Sequence, residues 1–312
     1  MKKFLTTLFL YFLIVGSITV AINGAYLMVA EDDVTERFLN VPDQIQISTF
    51  GSSHGECGFD YEDVTDKICF NFSLTAQFPS YDYRLMRYYG DKLAAGGTAY
   101  LVVSYFSLFG IDETKTETFA SKNARYYSFL PPEYIKEYDW KTSLFAKYFP
   151  SMTQGEDLLL IFMQRSATTE TDNRDRTVNT ETLEHDAHDR SRAHLIVEKL
   201  DNSGARIRNQ EEITSLYEMI SFCRERDVEP VLVTTPFLAE YSDAVMETAP
   251  GFLEEFHDII REITTTTGVR YYDYSADSRF IHDYSLFMNS DHLNRTGARK
   301  FTNLLLQETL QS

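Results

Sequence analysis

The chain has 312 residues, of which 43% are hydrophobic, 14% aromatic and 24% charged, a composition that excludes wholesale disorder and allows one large α/β domain or two smaller ones. Lys and Arg number 29 against 47 Asp and Glu, a formal net charge of −18, which repels polyanions and argues against nucleic acid or electrostatic docking on an anionic lipid surface. Attachment to a membrane then has to come from a hydrophobic segment.

Residues 4–30 are such a segment, uncharged and rich in Leu, Phe, Ile and Val, and long enough to cross a bilayer. Lys2 and Lys3 precede it and Glu31, Asp32 and Asp33 follow it, so the basic flank is expected to stay cytoplasmic and the rest of the chain to lie outside. A cleaved signal peptide is the alternative. Its best small-residue site is Thr19-Val20-Ala21, but the apolar run continues past it to Ala30, which reads as an uncut anchor over 1–30 with a stalk over 31–43.

Beyond the stalk, residues 44–50 alternate polar and apolar and break at Gly51-Ser52-Ser53, as a strand ending in a tight turn does. A short strand over 68–72, a helix over 79–93 and, after Gly96-Gly97, a strand over 98–103 follow. Residues 109–208 are irregular. We read them as an insertion, with an aromatic stretch over 126–149 and a polar stretch over 166–192 that lacks core-directed periodicity and predicts a mobile surface loop. Order returns with a helix over 212–226, a buried strand over 230–236, a helix over 242–266 stopping at Gly268, a strand over 269–274 and a closing helix over 294–311. Strands alternating with helices predict an α/β domain over 44–312, a three-layer α/β/α sandwich around a mostly parallel sheet. Reactive groups in such sheets collect just after the strands.

Two places there carry candidate chemistry. In Phe50-Gly51-Ser52-Ser53-His54-Gly55 a serine after the first strand can expose its hydroxyl beside a helix N-terminus able to stabilise an oxyanion; a helix-capping turn is the plain alternative. In Asn289-Ser290-Asp291-His292-Leu293-Asn294, with Gly297 following, His292 is of the type that serves a serine as general base, and Asp291 or Asp283 can fix its tautomer. The plain alternative there is a cap on the last helix. His185, Asp186, His188 and His194 look like metal ligands, but their polar setting reads as a solvated loop. Cys57, Cys69 and Cys223 lack zinc-finger spacing; a Cys57–Cys69 disulfide and free thiols both remain open. No phosphate-binding glycine motif follows a strand, so no nucleotide cofactor is expected, and no metal.

Together, the Gly51-Ser52-Ser53 block and the C-terminal Asp291-His292-Leu293-Asn294 block with Gly297 resemble those of the SGNH hydrolase superfamily, most closely its membrane-anchored branch, which includes the D-alanine-transfer protein of teichoic acid synthesis and proteins acting beside membrane-bound O-acyltransferases. The resemblance covers 44–103 and 209–312. It implies a flavodoxin-like fold, Ser53 as nucleophile and His292 as base. The position three residues before the histidine, a carboxylate in the superfamily, is Asn289 here, so either Asp291 takes over, the site works as a dyad, or catalysis is weakened. The separate glycine and Gly-x-Asn-Asp oxyanion blocks are not recognisable; their positional counterparts are residues 71–77 and 104–107, where Gln77 offers an amide donor and Ser104 a hydroxyl, the plain alternative being that both hold their loops through backbone hydrogen bonds. The resemblance further implies an exported, membrane-anchored serine O-acyltransferase or esterase on a cell-envelope polysaccharide or teichoic-acid-like polymer, single-pass with its C-terminal domain extracytoplasmic, and a polytopic membrane-bound O-acyltransferase as partner. The rival expectation is a non-catalytic glycan-binding or scaffold protein of an envelope acylation complex. A metal-dependent hydrolase built on the His185 cluster is the third.

Overall fold

The computed structural model describes residues 2–29, 33–110, 123–153, 173–195 and 199–310. In chain order the main elements are α1 (Lys2–Val29), α2 (Asp33–Leu39), β1 (Ile45–Phe50), α3 (Ser53–Gly58), β2 (Cys69–Asn71), α4 (Pro79–Tyr89), β3 (Leu93–Val102), α5 (Trp140–Tyr148), α6 (Leu183–Leu195), α7 (Gln210–Glu225), β4 (Glu229–Thr234), α8 (Ala239–Thr248), α9 (Phe252–Thr267), β5 (Arg270–Asp273) and α10 (Arg295–Leu310). They divide into two compact units, residues 1–41 with 117–170 and residues 42–116 with 171–312.

In the first unit, α1 is long and apolar enough to cross a membrane. Its one buried residue among those described is Asn23. Phe38 of α2 stacks on Phe129 with ring centroids 4.4 Å apart, and the Thr35 and Ser128 hydroxyls lie 2.7 Å apart.

In the second unit the five strands are parallel throughout, in the order β2-β1-β3-β4-β5. The α/β expectation and the flavodoxin-like order are both met. The order reverses between β1 and β3, which places a cleft at their carboxyl ends. Val231 and Val233 of β4 share a core with Ile47, Tyr100 and Val102 and with Ala298, Phe301 and Leu305 of α10. The alternate residue Leu232 is also fully buried and so points to the other face. There α7 lies against β4 and α4, and Cys223 meets Met86 at 3.7 Å between sulfurs.

Three sequence expectations change. The 79–93 helix ends at Tyr89, and β3 begins at Leu93, because β1 pairs with the chain on both sides of Gly96-Gly97, Ile45 with Leu93 and Ile47 with Thr98, across a register shift. The 242–266 helix is two, α8 and α9, separated at Pro250-Gly251, where Gly251 adopts a φ of 80°. The polar stretch expected to be a mobile loop contains α6, which belongs to the sheet unit and packs on α8, with Leu183, Ala187, Ser191 and Leu195 buried. Its apolar signal is thin because that face carries only two large aliphatic side chains. The remainder of that stretch before Asn173 lies outside the described residues. All three cysteines are free thiols.

Gly297 ties α10 to the loop that precedes it. A Cβ there meets the Leu286 carbonyl oxygen at 2.1 Å, and that carbonyl accepts the Asn294 N–H at 2.9 Å, while the Asn294 side chain accepts the Gly297 N–H at 3.0 Å. Gly297→Ala therefore displaces backbone rather than a flexible side chain. We expect a loss of about 1–3 kcal/mol, read as a lowered midpoint of thermal unfolding by circular dichroism.

Candidate active site

The turn after β1 begins at Gly51, with φ 152° and a position where a Cβ lies 2.8 Å from Cβ of Val102. No other residue fits between the β1 and β3 ends. Ser52 then caps α3, its Oγ accepting the His54 N–H at 3.3 Å. Ser53 is half-buried at the first helical position, and His54 turns inward and is buried. Ser104 follows β3. The 283–294 loop brings Asn289, Asp291 and His292, and α6 supplies Asp186, Arg190 and His194 at i, i+4 and i+8, one stripe of one helix face.

These residues converge on the Asp291 carboxylate, which is 1% exposed. Its Oδ2 accepts the His54 Nε2–H at 3.2 Å and faces His194 Nε2 at 3.8 Å. Oδ1 lies 3.0 Å from His292 Nδ1 and 3.1 Å from Arg190 Nη1, as close ion-pair contacts without hydrogen-bond alignment. Arg190 is held from behind by Asp186, whose Oδ1 accepts its Nε–H at 3.0 Å. The other oxygen of Asp186 accepts the Ser290 N–H at 2.8 Å, which pins the loop to α6. Burial alone pushes the Asp291 carboxyl up, but the imidazoles of His292, His54 and His194 outweigh it and hold it well below the usual carboxylate range. Burial would also favour loss of the Arg190 proton, yet Asp291 and Asp186 keep it charged.

Two histidine tautomers follow. Since Asp291 is charged, His54 carries its proton on Nε2, so Nδ1 accepts from the Ser104 hydroxyl at 2.8 Å, and Ser104 in turn accepts from Ser52 at 2.7 Å. The result is a closed hydrogen-bonded chain from Ser52 through Ser104 and His54 to Asp291. Around His292, the Asn289 Oδ1 accepts the backbone N–H groups of Asp291 and His292 at 3.2 and 2.8 Å, which identifies it as oxygen. It lies 3.1 Å from His292 Nδ1, so with two oxygens facing it Nδ1 bears the proton. Arg190 Nη1 is also aligned on this nitrogen, but at the longer distance of 3.4 Å, and the two nearer oxygens outweigh it. His292 Nε2 is buried and without a hydrogen-bond partner among the described residues, and in the neutral ring with its proton on Nδ1 it is the nitrogen that carries the lone pair. This is the state of a general base.

The candidates from sequence thus separate. Asn289, Asp291 and His292 are brought together, with Ser104 joined to Asp291 through His54. Ser53 stands next to His54, whose ring centroid is 5.1 Å from that of His292, but no hydrogen bond joins Ser53 to His292. Gln77 is buried away from solvent, its Nε2 directed at the Gly51 and Phe72 carbonyls and at Asp82 Oδ1 at 3.3, 3.0 and 2.7 Å; this locks the β1 and β2 ends and leaves no amide hydrogen for an oxyanion. The Ser104 hydroxyl is likewise engaged, in the His54 chain. Of the histidine cluster on α6, His185 pairs with Asp189 and His188 with Glu247 on exposed positions, and only His194 reaches Asp291. Sequence reasoning, which offers His54 beside Ser53 as a substrate contact, missed its contacts with Asp291 and Ser104, and missed Arg190 altogether. The 186-190-194 spacing was the available signal. His54, Asp291 and His292 place ligand-type atoms within 4.8 Å of one another, but the Arg190 cation already meets that carboxylate, so a metal fits only if Arg190 withdraws.

No family model and no curated protein matches this chain. Among solved structures, it is similar to a protein described as an acylhydrolase from Bacteroides fragilis, at TM-score 0.41 and 10% identity over 89% of this chain and 93% of that one. It is similar at the same TM-score and identity to a protein described as a platelet activating factor from Streptococcus pneumonia, over 94% of this chain and 99% of that one. At this level neither says what the chain does.

The buried histidines make stability depend on pH. Burial lowers the pKa of His54, and brings that of His194 down to about 4, despite the facing Asp291. Between the ordinary histidine value near 6.5 and about 4 the unfolded chain binds more protons than the folded one, so this contribution to stability is complete above that window and is lost as pH falls through it. Each uncompensated proton corresponds to about 1.4 kcal/mol per pH unit. Thermal unfolding of the full chain in detergent should show a midpoint that drops from pH 7 to pH 5, and His194→Gln should flatten the drop; identical pH dependence in the two proteins contradicts this.

Proposed function

We propose that the chain belongs to the membrane-anchored branch of the SGNH superfamily and is a serine-dependent acyl-transferring or acyl-hydrolysing enzyme, with residues 44–312 as its extracytoplasmic domain. The observation that carries this reading is His292, whose Nδ1 meets the Asn289 Oδ1 in a hydrogen bond beside the Asp291 carboxylate, while its buried Nε2 has no hydrogen-bond partner among the described residues. Ser53, half-buried at the start of α3, is the accessible serine of the turn; Ser52 and Ser104 are 2% and 1% exposed and engaged with one another.

In this mechanism His292 Nε2 takes the Ser53 hydroxyl proton as Oγ attacks an acyl carbonyl, and the Ser53 N–H donates to the oxyanion. The tetrahedral intermediate collapses to an acyl-serine ester, and the leaving alkoxide takes the proton back from Nε2. A second oxygen nucleophile, water in hydrolysis or a polymer hydroxyl in transfer, loses its proton to His292 as it attacks the ester carbonyl; the Ser53 Oγ–acyl bond breaks, and Ser53 Oγ takes the proton back from Nε2. Asp291, kept charged in the site, stabilises the imidazolium, and the Asn289 amide oxygen orients the ring, which answers the missing carboxylate three residues upstream. Transfer to a cell-envelope polymer, and supply of the acyl group by a polytopic membrane O-acyltransferase, rest on the sequence resemblance.

Because Ser53 and His292 share no hydrogen bond, a glycan-binding or scaffold role is the competing reading, and one assay separates them. The full chain in detergent is offered a chromogenic acetyl ester and a serine-directed covalent probe. We expect labelling and turnover, both abolished in Ser53→Ala, with turnover reduced roughly 10²–10⁴-fold in His292→Ala. Labelling that persists in Ser53→Ala overturns the assignment of the nucleophile, and a folded protein with neither property favours the scaffold.

A further inference from the structure

The unit that contains α1 carries a second exposed apolar feature, independent of the chemistry proposed for Ser53. In α5, Trp140, Leu144 and Tyr148 recur at i, i+4 and i+8 and are 63%, 46% and 58% exposed; Met152, in the turn that follows, is 54% exposed. A helix of nine residues with no buried residue presents this apolar stripe outward. On a helical projection Lys147 and Lys141 border the stripe on either side. Large apolar side chains at this exposure are unfavourable in water at about 25 cal/mol per Å².

The position of α5 relative to α1 identifies what covers it. Asn23 is a polar residue inside the apolar run, and an unsatisfied amide in lipid is costly. Its Nδ2 donates to the Tyr148 carbonyl at 3.2 Å, and its Oδ1 accepts the Ser151 N–H and hydroxyl at 3.2 and 3.0 Å. The C-terminal end of α5 is therefore tied to α1 at the depth of Asn23. That residue lies nineteen positions beyond Phe4, about 28 Å along the helix axis, against a hydrocarbon core of about 30 Å. Asn23 thus falls at the far edge of the hydrocarbon, the level where Trp and Tyr rings are favoured and Lys stems reach the headgroups.

We infer that α5 is a membrane-interface foot, with Trp140, Leu144, Tyr148 and Met152 seated in the leaflet at the C-terminal end of α1. The foot restricts rotation of α1 about its axis and holds the start of the following chain against the lipid surface. It rests on α1 spanning the bilayer, not on any catalytic assignment.

Trp140 is the single tryptophan of the chain, so intrinsic fluorescence reports on this helix alone. The full chain is reconstituted into vesicles of phosphatidylcholine and phosphatidylglycerol, with and without bromine on the acyl chains near the headgroup. Co-flotation with the vesicles first tests the anchor. Given flotation, the interfacial seat predicts blue-shifted emission, a loss of roughly half or more with brominated lipid, and weak quenching by aqueous iodide. Leu144→Asp, at an exposed position, should restore iodide quenching while flotation persists. Floating protein whose Trp140 emission resembles that in water and is quenched by iodide alone overturns the inference. So does emission shielded from both quenchers, which indicates a second protein copy on the stripe. Failure to float instead removes the anchor on which the inference rests.

Discussion

A carboxylate at 1% exposure is unstable unless the protein surrounds it with donors, and the candidate site is organised by that requirement at Asp291. His54, His194, His292 and Arg190 approach its two oxygens from the turn after β1, from α6 and from the 283–294 loop. None of these segments is adjacent in sequence to the others. Satisfying one charge therefore fixes three parts of the chain relative to each other, and the tautomers of two histidines follow from it.

The sheet makes this convergence possible. In the β2-β1-β3-β4-β5 order the strand order reverses between β1 and β3, so the segments that follow them leave a gap beyond their carboxyl ends, and Gly51 lets the chain turn sharply against Val102 there. Polar side chains entering that gap are screened from water by Phe106 and Phe237, whose rings lie 4.4 Å from His194 and 4.8 Å from His54. Low local polarity strengthens each contact with Asp291 and raises the cost of losing any of them. Asp186 extends the same logic outward, holding Arg190 with one oxygen and the loop with the other.

Much of the framework was legible in the sequence because strands buried on both faces and helices with one apolar face leave strong patterns. Pro230 to Thr234 is of this kind, and the Gly51-Ser52-Ser53 turn marks where another such strand ends. The α6 segment was not legible, since its outward residues are charged and its inward ones include Ala187 and Ser191, too small and polar to register as core. The functional face of that helix is itself polar, and only the fold reveals that Arg190 meets a buried acid. His54 escaped for a related reason. As a neighbour of Ser53 it cannot serve that serine within a normal turn, and its real partners, Ser104 and Asp291, are 50 and 237 residues away. Gln77 shows the reverse case, a donor in the right place whose hydrogens are already spent on backbone carbonyls and Asp82.

The central claim is that one charged Asp291 sets opposite tautomers in two histidines. It is tested most directly by long-range nitrogen–proton correlation spectra of the imidazole rings at neutral pH, with the seven histidines assigned by single substitutions. The account predicts a neutral His54 protonated on Nε2, and a His292 that carries a proton on Nδ1 with Nε2 unprotonated. A His54 protonated on Nδ1, or a His292 with its proton on Nε2 and a bare Nδ1, would contradict the organisation of the site around Asp291.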